Sequence, residues 1–280
     1  MSFLDIRHSH AMRWPLLALA RLALKPLCRG PSILRRAAYD SIPLPYLVTG
    51  TQELFVVDTQ DRVIGRQLFL HGEFDFHKLQ TALSILKREG RPPPDHLIDV
   101  GANIGSVVIP ALKRGLVQTA SAIEPHPGNL RLLRANLALN GLLDFVSIFD
   151  VAAGARSDSA LLLQESSTNS GNHSIGSTGI SVRSMRLDDL EIPFEKALLW
   201  MDIEGYEGHA LEGASRMLTG GIPFVSEFNP RFLANSSGMD AFEAALRHRR
   251  IFDLANPDEK KSLADLVLRY REDYTDILAI

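Results

Sequence analysis

Blocks of consecutive apolar residues alternate along the chain with stretches whose apolar positions recur every three or four residues. HLIDV (96–100), SAIEP (121–125), FVSIFDVAA (145–153), ALLWMDI (197–203) and FVSEF (224–228) are short and apolar almost throughout. Strands covered on both faces look like this. Between them, Asn129 to Asn140 sets Leu130, Leu133 and Leu137 on one side of a helix. Further helices are predicted near Gly208 to Leu218 and over Met239 to Arg249. Ile251 to Ala255 reads as another strand, and DILAI (276–280) as the one that closes the sheet. Alternation of this kind predicts a mostly parallel α/β sheet with helices on both faces. Ligands of such sheets bind beyond the carboxyl ends of the strands, so the chemistry is sought there.

The first ninety residues follow a different rhythm. LFVVD (54–58) reads as a strand with short neighbours on either side, and Lys78 to Glu89 has helical spacing. Gly90-Arg91-Pro92-Pro93-Pro94 ends that helix and marks a boundary. Residues 1–90 are therefore read as an N-terminal accessory region and 91–280 as the main domain. Within the first part, Trp14 to Cys28 (WPLLALARLALKPLC) is apolar but interrupted by Arg21 and Lys25. It is shorter than the roughly 20 residues of a membrane-spanning helix. Charges inside the run and the lack of an A-x-A-like cleavage site argue against a secretory signal. Arg7, Arg13, Arg29, Arg35 and Arg36 flank it. Two readings stay open: a helix packed on the main domain, or one lying on a membrane surface or a partner.

Composition adds limits rather than direction. A hydrophobic content of 45% with 22% charged residues and a net charge of −3 describes an ordinary globular protein. No basic excess calls for nucleic acid. Cys28 is the single cysteine, which excludes an internal disulfide and fits a reducing compartment. A cytoplasmic protein is expected, membrane-associated if the N-terminal segment lies on a bilayer.

Acidic residues and glycines collect at the predicted strand ends. The first strand runs into Asp99-Val100-Gly101-Ala102-Asn103-Ile104-Gly105. Gly101 and Gly105 allow a tight turn and a close ligand approach. The G-x-G-x-x-G spacing that presents a helix N-terminus to a pyrophosphate is missing. A carboxylate, Asp99, stands there instead and suits a cationic ligand better than a dinucleotide; a purely structural turn is the alternative. Glu124 ends the second strand 19 residues after Gly105. An acidic residue about 20 residues on is where ribose hydroxyls are gripped. Asp150, in the third strand, is placed to accept from an adenine amino group or to cap the strand end. After the fourth strand comes Asp202-Ile203-Glu204-Gly205-Tyr206-Glu207, and Glu227 lies inside the apolar fifth strand. Asp202 and Glu204 would share a side in strand geometry, while Glu207 would open the next helix and favour its dipole. Such a cluster can orient and deprotonate a hydroxyl, hold Mg²⁺, or serve as caps and ion pairs.

Taken together these residues resemble the FkbM-type methyltransferases, S-adenosylmethionine-dependent enzymes that mostly methylate hydroxyl groups. The resemblance runs from about His96 to Pro230, through DVGANIG (99–105), IEPHPGNLRLLRANLALNG (123–141), NSGNHSI (169–175), RLDDL (186–190), MDIEGYEGHALEGA (201–214) and SEFNP (226–230). The block MDIEGYE followed by SEFNP is the most specific part. It implies a Rossmann-like class I methyltransferase sheet, cofactor contacts at Asp99, Gly101, Asn103 and Glu124, and an active-site role for Asp202 and Glu204. Pro110 departs from the pattern, because a proline inside the first helix breaks it unless the helix starts late.

The expectation is thus an S-adenosylmethionine-dependent O-methyltransferase for a sugar, glycolipid or other small molecule. Its site comprises Asp202, Glu204 and Glu227 for chemistry and Asp99, Gly101, Asn103, Gly105, Glu124 and Asp150 for the cofactor. Asp202 and Glu204 are the ligands if Mg²⁺ takes part. An NAD-dependent oxidoreductase and a non-catalytic cofactor-binding protein are the alternatives; the missing third glycine argues against the first, and the intact acidic cluster against the second.

Overall fold

The computed structural model describes residues 32–280. Trp14 to Cys28 lies outside the described residues. The described chain opens with α1 (Ser32–Asp40) and an antiparallel hairpin, β1 (Tyr46–Gly50) with β2 (Leu54–Asp58). Helices α2 (Ile64–His71) and α3 (Phe76–Arg88) follow. The alternating part begins with β3 (His96–Val100), α4 (Val108–Lys113), β4 (Thr119–Ile123), α5 (Pro127–Leu139) and β5 (Val146–Phe149). Next, β6 (Ala152–Ala153), β7 (Ser159–Gln164), β8 (Ser174–Gly176) and β9 (Ile180–Met185) build a separate sheet. The main sheet resumes with β10 (Ala197–Met201), α6 (Glu207–Glu212), α7 (Ser215–Thr219) and β11 (Phe224–Phe228). It finishes with α8 (Pro230–Asn235), α9 (Met239–Leu246), β12 (Ile251–Asp253), β13 (Asn256–Lys261), α10 (Leu263–Arg269) and β14 (Thr275–Ala279).

The eight strands of the main sheet lie in the order β13-β12-β14-β11-β10-β3-β4-β5. Strands β5, β4, β3, β10 and β11 are parallel, and β14 runs antiparallel to both its neighbours. Consecutive residues of a strand point to opposite faces. Leu97 and Leu198 accordingly join one core with α4 and α5, while Ile98 and Leu199 join the other with α6 and α9. Phe55, Val57, Leu68 and Leu79 are part of the first core too, so chain on both sides of the Gly90–Pro94 run shares one interior.

Three details differ from the periodicity. The strand at the C-terminus does not close the sheet. It slots between β11 and β12, and the edge is the polar β13, NPDEKK, which carries no apolar signal. FVSIFDVAA is not one strand, because the chain breaks at exposed Asp150 and Ala152–Ala153 pairs with β9 in the other sheet. The helix predicted near 208–218 is interrupted at Gly213-Ala214. Pro110 is the third residue of a late-starting α4, where the N–H it lacks has no partner within the helix.

The hairpin is tied to the main domain by polar bonds rather than by its apolar face alone. Asn136, fully buried on α5, accepts from the Val56 N–H at 2.6 Å and donates to the Ile104 carbonyl at 2.9 Å. Asn136→Ala would leave buried backbone groups unpaired, at a cost of about 1–3 kcal/mol. Urea denaturation should show that loss; an unchanged midpoint would contradict this role for Asn136.

Candidate functional site

The order of strands reverses between β3 and β10, which opens a crevice at their carboxyl ends. Gly101 turns the chain out of β3 with φ +87°, and a Cβ there would overlap the carbonyl oxygen of Asp202. The glycine is required by the loop that follows β10 as well as lining the cleft. Asn103 also has a left-handed backbone, φ +51°. Asparagine tolerates this better than most side chains. The turn aims its N–H at Glu124 Oε2, 2.8 Å away, and its side-chain Nδ2 at the Ser170 carbonyl, 2.7 Å away. The other oxygen of Glu124 accepts from the His126 N–H at 2.7 Å. Burial pushes Glu124 up to about 7 against the pull of those two backbone donors.

Asp99, Asn103, Glu124 and Asp202 line the polar part of the cleft. Pro125, Ala152, Ala153, Leu163 and Ile175 make an apolar part. Asp99 Oδ2 is buried and has no hydrogen-bond partner among the described residues. Burial, then the nearby charge of Glu124, raises Asp99 to about 7. An unsatisfied buried carboxylate oxygen calls for a donor or a cation from a ligand.

At the other end Asp202, Glu204 and Glu227 bring carboxylate oxygens within 4.8 Å of one another. Of the three, Asp202 borders the cleft. Strand alternation does not align Asp202 with Glu204, as the sequence suggested, because β10 ends at Met201. A left-handed turn at Glu204, φ +55°, does so instead. Glu207 opens α6, but its buried carboxylate accepts from the N–H groups of Ile203 at 3.0 Å and Gly205 at 3.3 Å. It pins the loop that carries Glu204. Glu227 stands directly across from Asp276 in the β11–β14 register. Burial, with Asp202, Glu204 and Glu207 adding their charge, pushes Glu227 up to about 10. Asp202 is held well above the usual carboxylate range by burial and by Glu204. Burial and Glu207 raise Glu204 to about 7.

A lysine relieves this crowding. Lys78 of α3 reaches Asp276 Oδ2 at 2.7 Å and Asp75 Oδ1 at 2.9 Å. Burial works against its charge, but the two carboxylates hold its pKa above the ordinary value. Asp75 and Phe74, in the turn before α3, line the cleft. Nothing in the sequence singled out Lys78, since its partners are about 200 residues away along the chain in one case and local in the other.

Other expectations are placed differently. Asp150 is exposed and does not line the cleft, because the strand ends before it. Gly105 is absent from the lining: a Cβ there would meet Ile109 Cδ1 at 2.8 Å and Leu133 Cδ1 at 3.1 Å, so it serves packing. The segment 169–175, matched only by resemblance, walls the cleft through Ser170, Gly171 and His173. Ser170 Oγ donates to Asp61 Oδ2 at 2.6 Å, and its carbonyl accepts from Asn129 Nδ2 at 3.1 Å. These bonds latch the segment down. The cleft holds about 80 Å³ of free space in this conformation. Small-molecule pockets are about 300–1,000 Å³, so the free space here is smaller than a typical ligand site. A second cavity, of about 400 Å³, lies beyond it and shares Asn129, Ser170 and His173.

The sheet order and the glycine turn with acids at successive strand ends define a class I methyltransferase fold. Residues 99–249 match the methyltransferase FkbM domain family, and the chain belongs to that family. Among solved structures it is similar to a methyltransferase FkbM from Methylobacillus flagellatus KT, with 18% identity and a TM-score of 0.45. The match covers 67% of this chain and 44% of that one, so this chain spans less than half of that protein. A precorrin-6y C5,15-methyltransferase from Geobacter metallireducens GS-15 is 17% identical, with a TM-score of 0.41 and coverages of 72% and 86%. TYW2 from P. horikoshii, in complex with MeSAdo, is 11% identical, with a TM-score of 0.41 and coverages of 84% and 70%. No curated protein matches the chain.

The raised acids make stability depend on pH. Asp99 and Glu124 titrate near 7 in the folded protein, against about 4 in an unfolded chain. Between those values the folded state binds more protons, so their contribution to stability declines as pH rises from about 4 through 7. Calorimetry of the ligand-free protein should give a lower Tm at pH 8 than at pH 5.5, and Asp99→Asn should flatten the slope. A wild-type Tm that rises over this range would contradict the assignment.

Proposed function

We propose that the protein is an S-adenosylmethionine-dependent O-methyltransferase acting on a hydroxyl of a sugar, glycolipid or other small molecule. The observation that carries this reading is the unpartnered oxygen of Asp99, buried beside Glu124 in the cleft. S-adenosylmethionine brings an ammonium and a sulfonium, which suit an acidic lining; the pyrophosphate of a dinucleotide does not. Asp99 would face the ammonium side, Glu124 would accept from ribose hydroxyls, and Ala152, Ala153 and Leu163 would flank the adenine. Asn103 holds Glu124 in place through its backbone N–H.

When bound, the cofactor supplies an electrophilic methyl group. Asp202 orients the acceptor hydroxyl and takes its proton as the new carbon–oxygen bond forms. An aliphatic hydroxyl is a far weaker acid than an ordinary carboxylic acid, so the raised pKa of Asp202 narrows the mismatch. Glu204 and Glu227 bring carboxylate oxygens within 4.8 Å of it, and the charge of Glu204 helps keep its pKa raised. The same three carboxylates are an all-oxygen donor set of the kind that binds Mg²⁺, and Asp202, Glu204 and Glu227 would hold such an ion. An ion there would lower the acceptor's pKa.

Two experiments test this reading. In calorimetry S-adenosylhomocysteine should bind the wild type, and NADH should not. Asp99→Asn and Glu124→Gln should each weaken binding by roughly tenfold or more, the loss of one charge-assisted hydrogen bond. Tight NADH binding with no S-adenosylhomocysteine binding would overturn the cofactor. Asp202→Asn should keep that affinity yet cut methyl transfer from radiolabelled S-adenosylmethionine to a productive hydroxyl acceptor by roughly 10²–10⁴. Full activity in both Asp202→Asn and Glu204→Gln would place the chemistry elsewhere. Loss of turnover with EDTA and recovery with Mg²⁺ would assign the carboxylates as ligands.

A further inference from the structure

The β1–β2 hairpin carries apolar side chains on both faces. Its inner face buries Phe55 and Val57 in the core. The pairing of Tyr46 with Asp58, of Val48 with Val56 and of Gly50 with Leu54 sets Tyr46, Val48, Leu54 and Val56 on the outer face, with Asp58 at its end as the one charged side chain. Tyr46 is 49% exposed, Val48 56% and Leu54 42%, and Leu44 just ahead of β1 is 58% exposed. An antiparallel sheet with one face in water ordinarily alternates apolar and polar residues. The apolar surface continues around the end of α5. Asn140 there bonds the backbone of Leu54, and Leu139, Leu143 and Phe145 around it are exposed. A contiguous patch of this kind marks a contact with a protein or a membrane.

Charge distinguishes the two. Residues 1–39 hold seven basic residues against one acidic, whereas residues 40–280 hold 23 basic against 32 acidic. The net excess of positive charge is confined to the stretch leading into the hairpin, which is the arrangement that draws a surface to anionic lipid head groups. That stretch also contains the apolar run 14–28, and stable attachment generally takes two such signals. Tyr46 adds an aromatic side chain of the sort favoured at membrane–water interfaces. No described helix is long and apolar enough to cross a membrane.

We propose that the outer face of this hairpin seats on an anionic bilayer, with the basic N-terminal residues against its head groups. Tyr46 also lines the 400 Å³ cavity that shares a wall with the cleft.

Sedimentation of the full chain with vesicles of phosphatidylcholine, with and without phosphatidylserine, tests the proposal. The protein should pellet with phosphatidylserine vesicles and be released by high salt. Leu44→Ser/Val48→Thr, at two exposed positions, should lower the bound fraction constant by roughly tenfold while leaving Tm and S-adenosylhomocysteine affinity unchanged. No pelleting of the wild type would overturn the proposal, as would equal pelleting of the double variant. A wild-type dimer that the double variant converts to monomer would assign the face to a second copy of the chain instead. A fall in Tm of the double variant would mean that the face is covered by the protein itself. None of these readouts requires methyl transfer, so the proposal stands or falls apart from the assigned activity.

Discussion

The carbonyl oxygen of Asp202 lies where a side chain at position 101 would begin. That contact joins the two loops that matter most, the turn after β3 and the acidic segment after β10. It is reinforced by the Asp202 N–H, which donates to the Val100 carbonyl at 3.1 Å. A glycine with positive φ is the only residue that accommodates both the turn and the approach. With the loops locked together, Asp99, Asn103 and Asp202 face one cleft, and Asn103 reaches across to fix Glu124.

This arrangement gathers carboxylates that repel one another. Glu227 and Asp276 are cross-strand neighbours, and like charges in such positions are destabilising. Asp202 and Glu204 crowd the same corner. Compensation is supplied by backbone donors to Glu124 and Glu207, and by Lys78. Lys78 belongs to a helix before the Gly90–Pro94 run, so the N-terminal region stabilises the acidic corner as well as walling the cleft. The remaining imbalance is relieved by protonation or by a ligand carrying positive charge.

The segment 169–175 lies between two cavities and is held by both the hydroxyl and the carbonyl of Ser170. Ser170 links Asp61 on one side to Asn103 and Asn129 on the other. These bonds connect the hairpin side of the molecule to the glycine turn. The proposed membrane-facing surface and the cofactor cleft are in this way neighbours across one latched segment.

Much of this was legible in the chain itself. Buried parallel strands read as unbroken apolar runs, so β3, β4, β10 and β11 were plain, and glycine and carboxylate at their ends followed from the topology of such sheets. Asp99, Glu124 and Asp202 line one cleft because strand ends converge wherever the sheet is parallel. Local pattern failed where pairing over long distance decides. The polar β13 is a strand because β12 offers it an edge, and β14 lies inside the sheet because it pairs on both sides. Asp150 and Gly105 looked like ligand residues, but one faces water and the other faces Ile109 and Leu133. Lys78 looked like any exposed helical lysine until Asp276 was brought beside it. The sequence by itself determined the buried parallel strands, the turn chemistry and the family, because these depend on neighbours within a few residues. The tertiary structure decided which acids meet and what neutralises them, because charge acts through space between residues the chain holds far apart.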